Sequence, residues 1–153
     1  MHKIPTISYN DLKNTNKDVL EFLTLSLENN GFFVINNHPI DLQLISNAFQ
    51  IAEDMFNLPF ETKQKYHVPG TNGARGYTPY GIETALNEKV ADQKEFWHQG
   101  STSNTELMPN IYVDEIDNFK DLDTLYKEFE SMGVEILKAF ANFNVPYNLS
   151  LIH

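Results

Sequence analysis

From Phe119 onward, apolar residues return every third or fourth position: Phe119, Leu122, Leu125, Phe129, Met132, Ile136, Phe140 and Phe143. That spacing predicts a helix of about seven turns, ended by Pro146. An apolar face of that length has to be covered, so the rest of the chain must supply a second layer. The segments able to do so are short. Pro5–Ser8 is β-branched, bounded by polar residues, and suits a brief strand. Phe32-Phe33-Val34-Ile35 is a compact apolar run that reads as a buried strand, ended by Asn36-Asn37-His38-Pro39. Lys94 to His98 alternates weakly and could form another. With no regular βαβ alternation, the expected class is α+β. Strands this few and scattered do not complete a sheet, and they call for partners outside the chain.

Two further helices are legible. Asn14-Thr15-Asn16 offers N-cap residues for a helix whose apolar face is Val19, Phe22, Leu23 and Leu27, stopped by Asn29-Asn30-Gly31. Asp41 can cap the next, with Leu44, Ile45, Ala48, Ala52, Met55 and Phe56 along its buried side. Pro59 lies just past its end, and a further helical turn is expected over Phe60 to Tyr66. Between Val68 and Gly81 the residues Pro69, Gly70, Gly73, Gly76, Pro79 and Gly81 impose a loop or an irregular hairpin. Ile82 to Val90 is ambiguous, and Gly100 to Pro109 reads as polar loop. No repeat or linker divides residues 1–153, so one domain is expected.

Composition narrows the function. A formal net charge of −10 argues against nucleic-acid or anionic-membrane partners, which need clustered Lys and Arg. The chain has no Cys, which excludes a disulfide framework, a thiolate metal site and a cysteine nucleophile. No apolar run suits a signal peptide or a membrane span, so a cytoplasmic setting is expected.

The residues able to carry chemistry are sparse. The histidines are His2, His38, His67, His98 and His153. A mononuclear non-haem iron site takes two His and one carboxylate on one face of the metal. On a strand, His-x-Asp is a natural two-ligand unit, because residues two apart point the same way. No His-x-Asp or His-x-Glu occurs here, so neither metal ligands nor catalytic residues are assigned. Glu95 and His98, three apart, face opposite sides of a strand. There is no Gly-x-Ser-x-Gly elbow, and Gly70, Gly73 and Gly76 lack the Lys-Ser/Thr of a phosphate loop. Arg75, the only arginine, stands beside Tyr77 and Tyr80 in the glycine-rich segment. Its guanidinium could bind a substrate carboxylate with Tyr77 assisting. It also reads as an exposed loop arginine among packed tyrosines.

Taken in order, several pieces resemble the N-terminal region of the isopenicillin N synthase-like family of iron(II)/2-oxoglutarate oxygenases. They are Ile4-Pro5-Thr6-Ile7, Gly31-Phe32-Phe33 to Asn37-His38, and Phe56-Asn57-Leu58-Pro59 with Glu61-Thr62-Lys63. Gly76-Tyr77, Asp92-Gln93-Lys94-Glu95 and a long helix from Tyr126 follow. The family usually has Gly after Asn-His, where Pro39 stands here. The resemblance implies a jelly-roll barrel beyond this region, supplying His-x-Asp, a distal His and an Arg-x-Ser for 2-oxoglutarate. None of these occurs up to His153. The chain is therefore expected to be an interrupted N-terminal segment, inactive alone. It would bind neither Fe(II) nor 2-oxoglutarate by itself. Arg75 and Tyr77 would lie in a loop over the active-site mouth. The alternative is a non-catalytic interaction module that pairs with a separately encoded barrel or another protein.

Overall fold

The computed structural model describes residues 4–14, 16–71, 73–82, 92–103, 106 and 108–141. Helices and short strands alternate irregularly in two compact units, one from Met1–Ile40 and Phe129–His153, the other from Asp41–Glu128. The fold is mixed helix and sheet, and no closed barrel occurs among the described residues.

In the first unit β1 (Thr6–Ser8) leads directly into α1 (Tyr9–Lys13) and α2 (Lys17–Asn30). Ser8 caps α1: its Oγ accepts from the Asp11 amide at 3.1 Å and donates to the Asp11 carboxylate at 2.7 Å. Asn16 caps α2 as expected, its side-chain oxygen accepting from the Val19 amide at 3.0 Å. Gly31 ends the helix at φ 77°, where its amide reaches the Leu27 carbonyl at 2.9 Å. β2 (Val34–Asn36) then pairs parallel to β1 in the register Thr6↔Val34, Ile7↔Ile35, Ser8↔Asn36.

The strand expected over Phe32–Ile35 starts two residues later, and it is not fully buried. Phe32 is 53% and Val34 43% exposed. Only one face of this two-stranded sheet is covered, so alternate residues Phe33 and Ile35 turn inward. There they meet Ile7, Leu12, Val19 and Leu23, with Ala139, Met132 and Ile136 of the last helix.

The second unit contains α3 (Leu42–Asn57), α4 (Phe60–Gln64), β3 (Gly76–Thr78) and β4 (Phe96–His98). Asp41 caps α3 through the Gln43 amide at 2.8 Å. The buried residues of α3 are Ile51 and Met55; Leu44, Ile45, Ala48, Ala52 and Phe56 are half-buried. β3 and β4 pair antiparallel, Gly76↔His98, Tyr77↔Trp97, Thr78↔Phe96. The glycine-rich segment thus supplies one strand of a hairpin-like pair. Ile51, Met55, Tyr77, Val113, Ile116 and Phe119 form the core, and the Trp97 and Phe119 rings meet edge-on at 4.9 Å.

The long helix, α5 (Asp121–Ala141), starts two residues after Phe119 and contributes to both units in turn. Asp121 and Asp123 occupy its first turn, where carboxylates favour the helix dipole. Phe143, Pro146 and most of the ambiguous Ile82–Val90 stretch lie outside the described residues.

Candidate functional site

Arg75 and Tyr77, which the sequence placed side by side, end in different surroundings: Arg75 precedes β3, whereas Tyr77 is its central residue. Tyr77 turns into the core and is fully buried. Its hydroxyl donates to the Glu95 carboxylate, just before β4. Lys63 of α4 donates from Nζ to both Glu95 oxygens at 2.9 Å and to the Phe56 carbonyl at 3.0 Å. Lys63 is itself buried, so this is an enclosed ion pair with a tyrosine attached. Burial by itself would raise the Glu95 carboxyl. Hydrogen bonds from Tyr77 and Lys63, with the ammonium charge, outweigh it and hold the group below the usual carboxylate range. Burial, reinforced by the Glu95 hydrogen bond, pushes the Tyr77 phenol above its ordinary value. Lys63 was not singled out from the sequence as a functional residue. The available signal was its place in Glu61-Thr62-Lys63 after Leu58-Pro59, which the fold brings against Asp92–Glu95 and Gly76-Tyr77.

Arg75 takes another direction. It is 9% exposed, which replaces the exposed loop arginine considered from sequence. Its Nη1 donates to the Ala74 carbonyl at 2.6 Å, while Nε is buried with no acceptor. The guanidinium lies against Gly100 so closely that a Cβ there would fall 2.3 Å from Cζ. Gly100 is pinned in turn. Its amide and carbonyl pair with the Asn110 side chain at 2.9 and 2.8 Å. Asn110, Gln99 and Tyr112 all donate to Asp123 at the start of α5, at 2.8, 2.6 and 2.6 Å. No carboxylate pairs with Arg75 among the described residues. Thr78 Oγ1 is also buried without a partner, and a Cβ on Gly73 (φ 74°) would sit 2.8 Å from it. The loop therefore holds a buried cation, a group suited to an anion. Tyr77, expected to assist Arg75, has its hydroxyl on Glu95 instead.

The histidines do not converge. His67 Nδ1 lies 3.0 Å from the Tyr77 carbonyl, and His98 is exposed with its ring edge-on to Phe96 at 4.9 Å. His38 Nδ1 is buried without a partner. His2 and His153 lie outside the described residues. Among the described residues no group of three His, Asp or Glu side chains could hold a metal ion, so they do not fit an iron centre. No described helix is long and apolar enough to cross a membrane.

Residues 4–115 match the family described as non-haem dioxygenase in morphine synthesis N-terminal. A 2OG-Fe(II) oxygenase family protein from Caulobacter crescentus superposes with a TM-score of 0.71 at 31% identity, covering 93% of this chain and 48% of that one. The 1-aminocyclopropane-1-carboxylate oxidase of Dictyostelium discoideum is 26% identical over 163 residues, 95% of this chain and 44% of its own length. The 2-oxoglutarate-dependent dioxygenase caaD of Aspergillus niger is 26% identical over 141 residues, 85% of this chain and again 44% of its own. The chain thus spans less than half the length of these relatives.

Proposed function

We propose a function from one premise: the chain belongs to the N-terminal family of non-haem dioxygenases. It is the N-terminal segment of an iron(II)/2-oxoglutarate-type oxidoreductase, cytoplasmic, and without turnover alone. The observation that carries this reading is the match over residues 4–115 in a chain whose described residues offer no iron ligand set. On this reading iron and 2-oxoglutarate are held by residues outside this segment, and no step of the reaction is assigned to the side chains present.

The contribution of this segment is positional. The Lys63–Glu95–Tyr77 cluster ties α4 and β3 to the start of β4, and the Asn110–Asp123 cluster holds Gly100 under Arg75. Arg75 then supplies the contact to a substrate carboxylate, and Tyr77 steadies the strand.

The test is iron titration and 2-oxoglutarate decarboxylation by the purified chain. No stoichiometric iron and no succinate are expected; tight iron with turnover overturns the reading. Translating the DNA beyond the His153 codon in all three frames adds a second check, in which His-x-Asp, a distal His and Arg-x-Ser are expected.

The second reading, an interaction module that pairs with a separately encoded catalytic barrel or another protein, is favoured by one observation. Large apolar side chains stand open to solvent on both long helices, among them Leu42 (72%), Phe49 (75%) and Leu137 (68%).

A further inference from the structure

Trp97 is the only tryptophan of the chain, and three tyrosines of the second unit share its core. Tyr66 meets the indole edge-on at 6.2 Å, Tyr77 stands opposite it across the β3–β4 pair, and Tyr112 packs on the same apolar cluster. Each of these phenols donates to a carboxylate: Tyr66 to Glu115 at 2.5 Å, Tyr112 to Asp123 at 2.6 Å, and Tyr77 to Glu95. The indole differs, because its Nε1 donates at 3.0 Å to the neutral Oε1 of Gln99. A phenol loses an electron readily when a base takes its proton in the same step, whereas an indole can hold the positive charge. An electron vacancy created on Trp97 therefore moves to a tyrosine.

The surroundings decide which one. Lys63 Nζ stands 5.6 Å from the Tyr77 ring centroid, and Lys120 Nζ 5.3 Å from that of Tyr112. A cation over a ring opposes removal of an electron from it. Their bases are also engaged: Glu95 takes the Lys63 ammonium on both oxygens, and Asp123 accepts from Gln99 and Asn110 as well. Among the described residues no Lys or Arg stands over the Tyr66 ring. Its base, Glu115, is exposed, with Lys65 at 3.6 Å. The Asp114 amide donates to the Tyr66 oxygen at 3.0 Å, a bond that survives loss of the phenol proton.

We propose that Trp97 and Tyr66 form a one-electron relay, which carries an oxidising equivalent from the groove beside α3 to a radical at Tyr66. Trp97 lines that groove, about 330 Å³ in volume, with Phe56, Phe96 and Phe119. A strong diffusible one-electron oxidant, such as carbonate radical, takes an electron from the indole there. The Tyr66 phenol then returns an electron to the indole while its proton passes to Glu115. Trp97 is restored, Tyr66 is left as the neutral radical, and Glu115 as the carboxylic acid. A thiol or ascorbate at the surface gives the radical one hydrogen atom, and Glu115 releases its proton to water. The relay spares the buried aromatic core from covalent oxidation. It goes beyond the reading above and does not depend on it, since the oxidant comes from solution.

The test is flash photolysis of the purified chain with a ruthenium tris(bipyridyl) complex and an electron-accepting quencher, followed by transient absorption and electron paramagnetic resonance. With one Trp in the chain, the indole radical has a single source. Its decay is expected to match the rise of a tyrosyl signal. Tyr66→Phe should lengthen the life of the indole radical several-fold and remove most of that signal. Glu115→Gln keeps a hydrogen-bond acceptor without the base, so it should slow the transfer too. It carries the test if circular dichroism shows Tyr66→Phe to be unfolded. Trp97→Phe should lower the tyrosyl yield, and Tyr112→Phe should leave decay and yield unchanged. An indole radical that decays alike in the parent chain and in Glu115→Gln overturns the proposal. So does a tyrosyl signal that Trp97→Phe leaves intact, or one lost in Tyr112→Phe or Tyr77→Phe and kept in Tyr66→Phe.

Discussion

Lys63 sets the terms at the scale of single residues. A buried ammonium is tolerated because Glu95 answers its charge and the Phe56 carbonyl accepts a further hydrogen bond from it. Glu95→Gln removes the charge and keeps the shape, so it should destabilise by about 3 kcal/mol in urea unfolding. Replacing Lys63 and Glu95 together by Met and Leu should cost less than the single change, since no charge is then stranded. The pH dependence follows from the signs. Glu95 is lowered in the folded chain, so its contribution is present above the ordinary carboxylate range and fades as pH falls through the folded value. Tyr77 is raised, so its contribution is present below the ordinary phenol value and fades as pH rises toward the folded one. Stability measured against pH should therefore hold a plateau between about 4 and about 10 that Glu95→Gln flattens at its acidic edge. For Arg75, adding succinate should shift the side-chain Nε–H resonance in a saturable way, and Arg75→Gln should remove that response. An unchanged spectrum would count against the carboxylate contact.

At the scale of elements, local chemistry explains most boundaries. Asn16, Asp41 and Gly31 terminate their helices by mechanisms that need only a few neighbouring residues. Asn16→Ala should cost about 1 kcal/mol, read as a lower melting temperature with unchanged helix content. The helix α1 escaped the periodicity argument because five residues are too few to show a repeat, although Ser8 and Asp11 at capping spacing were the available sign. β2 escaped in another way. Its apolar run looks like a strand buried on both faces, whereas a two-stranded sheet covers only Phe33 and Ile35. In α3 the residue missing from the expected buried side is Ile51, one of its two most enclosed, because the helix carries two adjacent apolar stripes and spacing alone does not rank them.

At the scale of the molecule, each unit has its own apolar core, and neither sheet exceeds two strands among the described residues. Leu23, fully enclosed in the first, should cost about 3 kcal/mol as Leu23→Ala, measured by chemical unfolding. The amino-acid order by itself determined the longer helices, the caps of α2 and α3, the position of the turn glycines and the family, because each depends on residues a few positions apart or on short motifs in sequence. It did not determine where side chains went once elements packed. Arg75 and Tyr77 sit two residues apart, yet one lies against Gly100 and the other reaches Glu95. Lys63 finds its counter-charge thirty-two residues away. Those outcomes depend on strand register and on which surfaces meet, and long-range packing, unlike a cap or a repeat, leaves no mark in any short stretch of sequence.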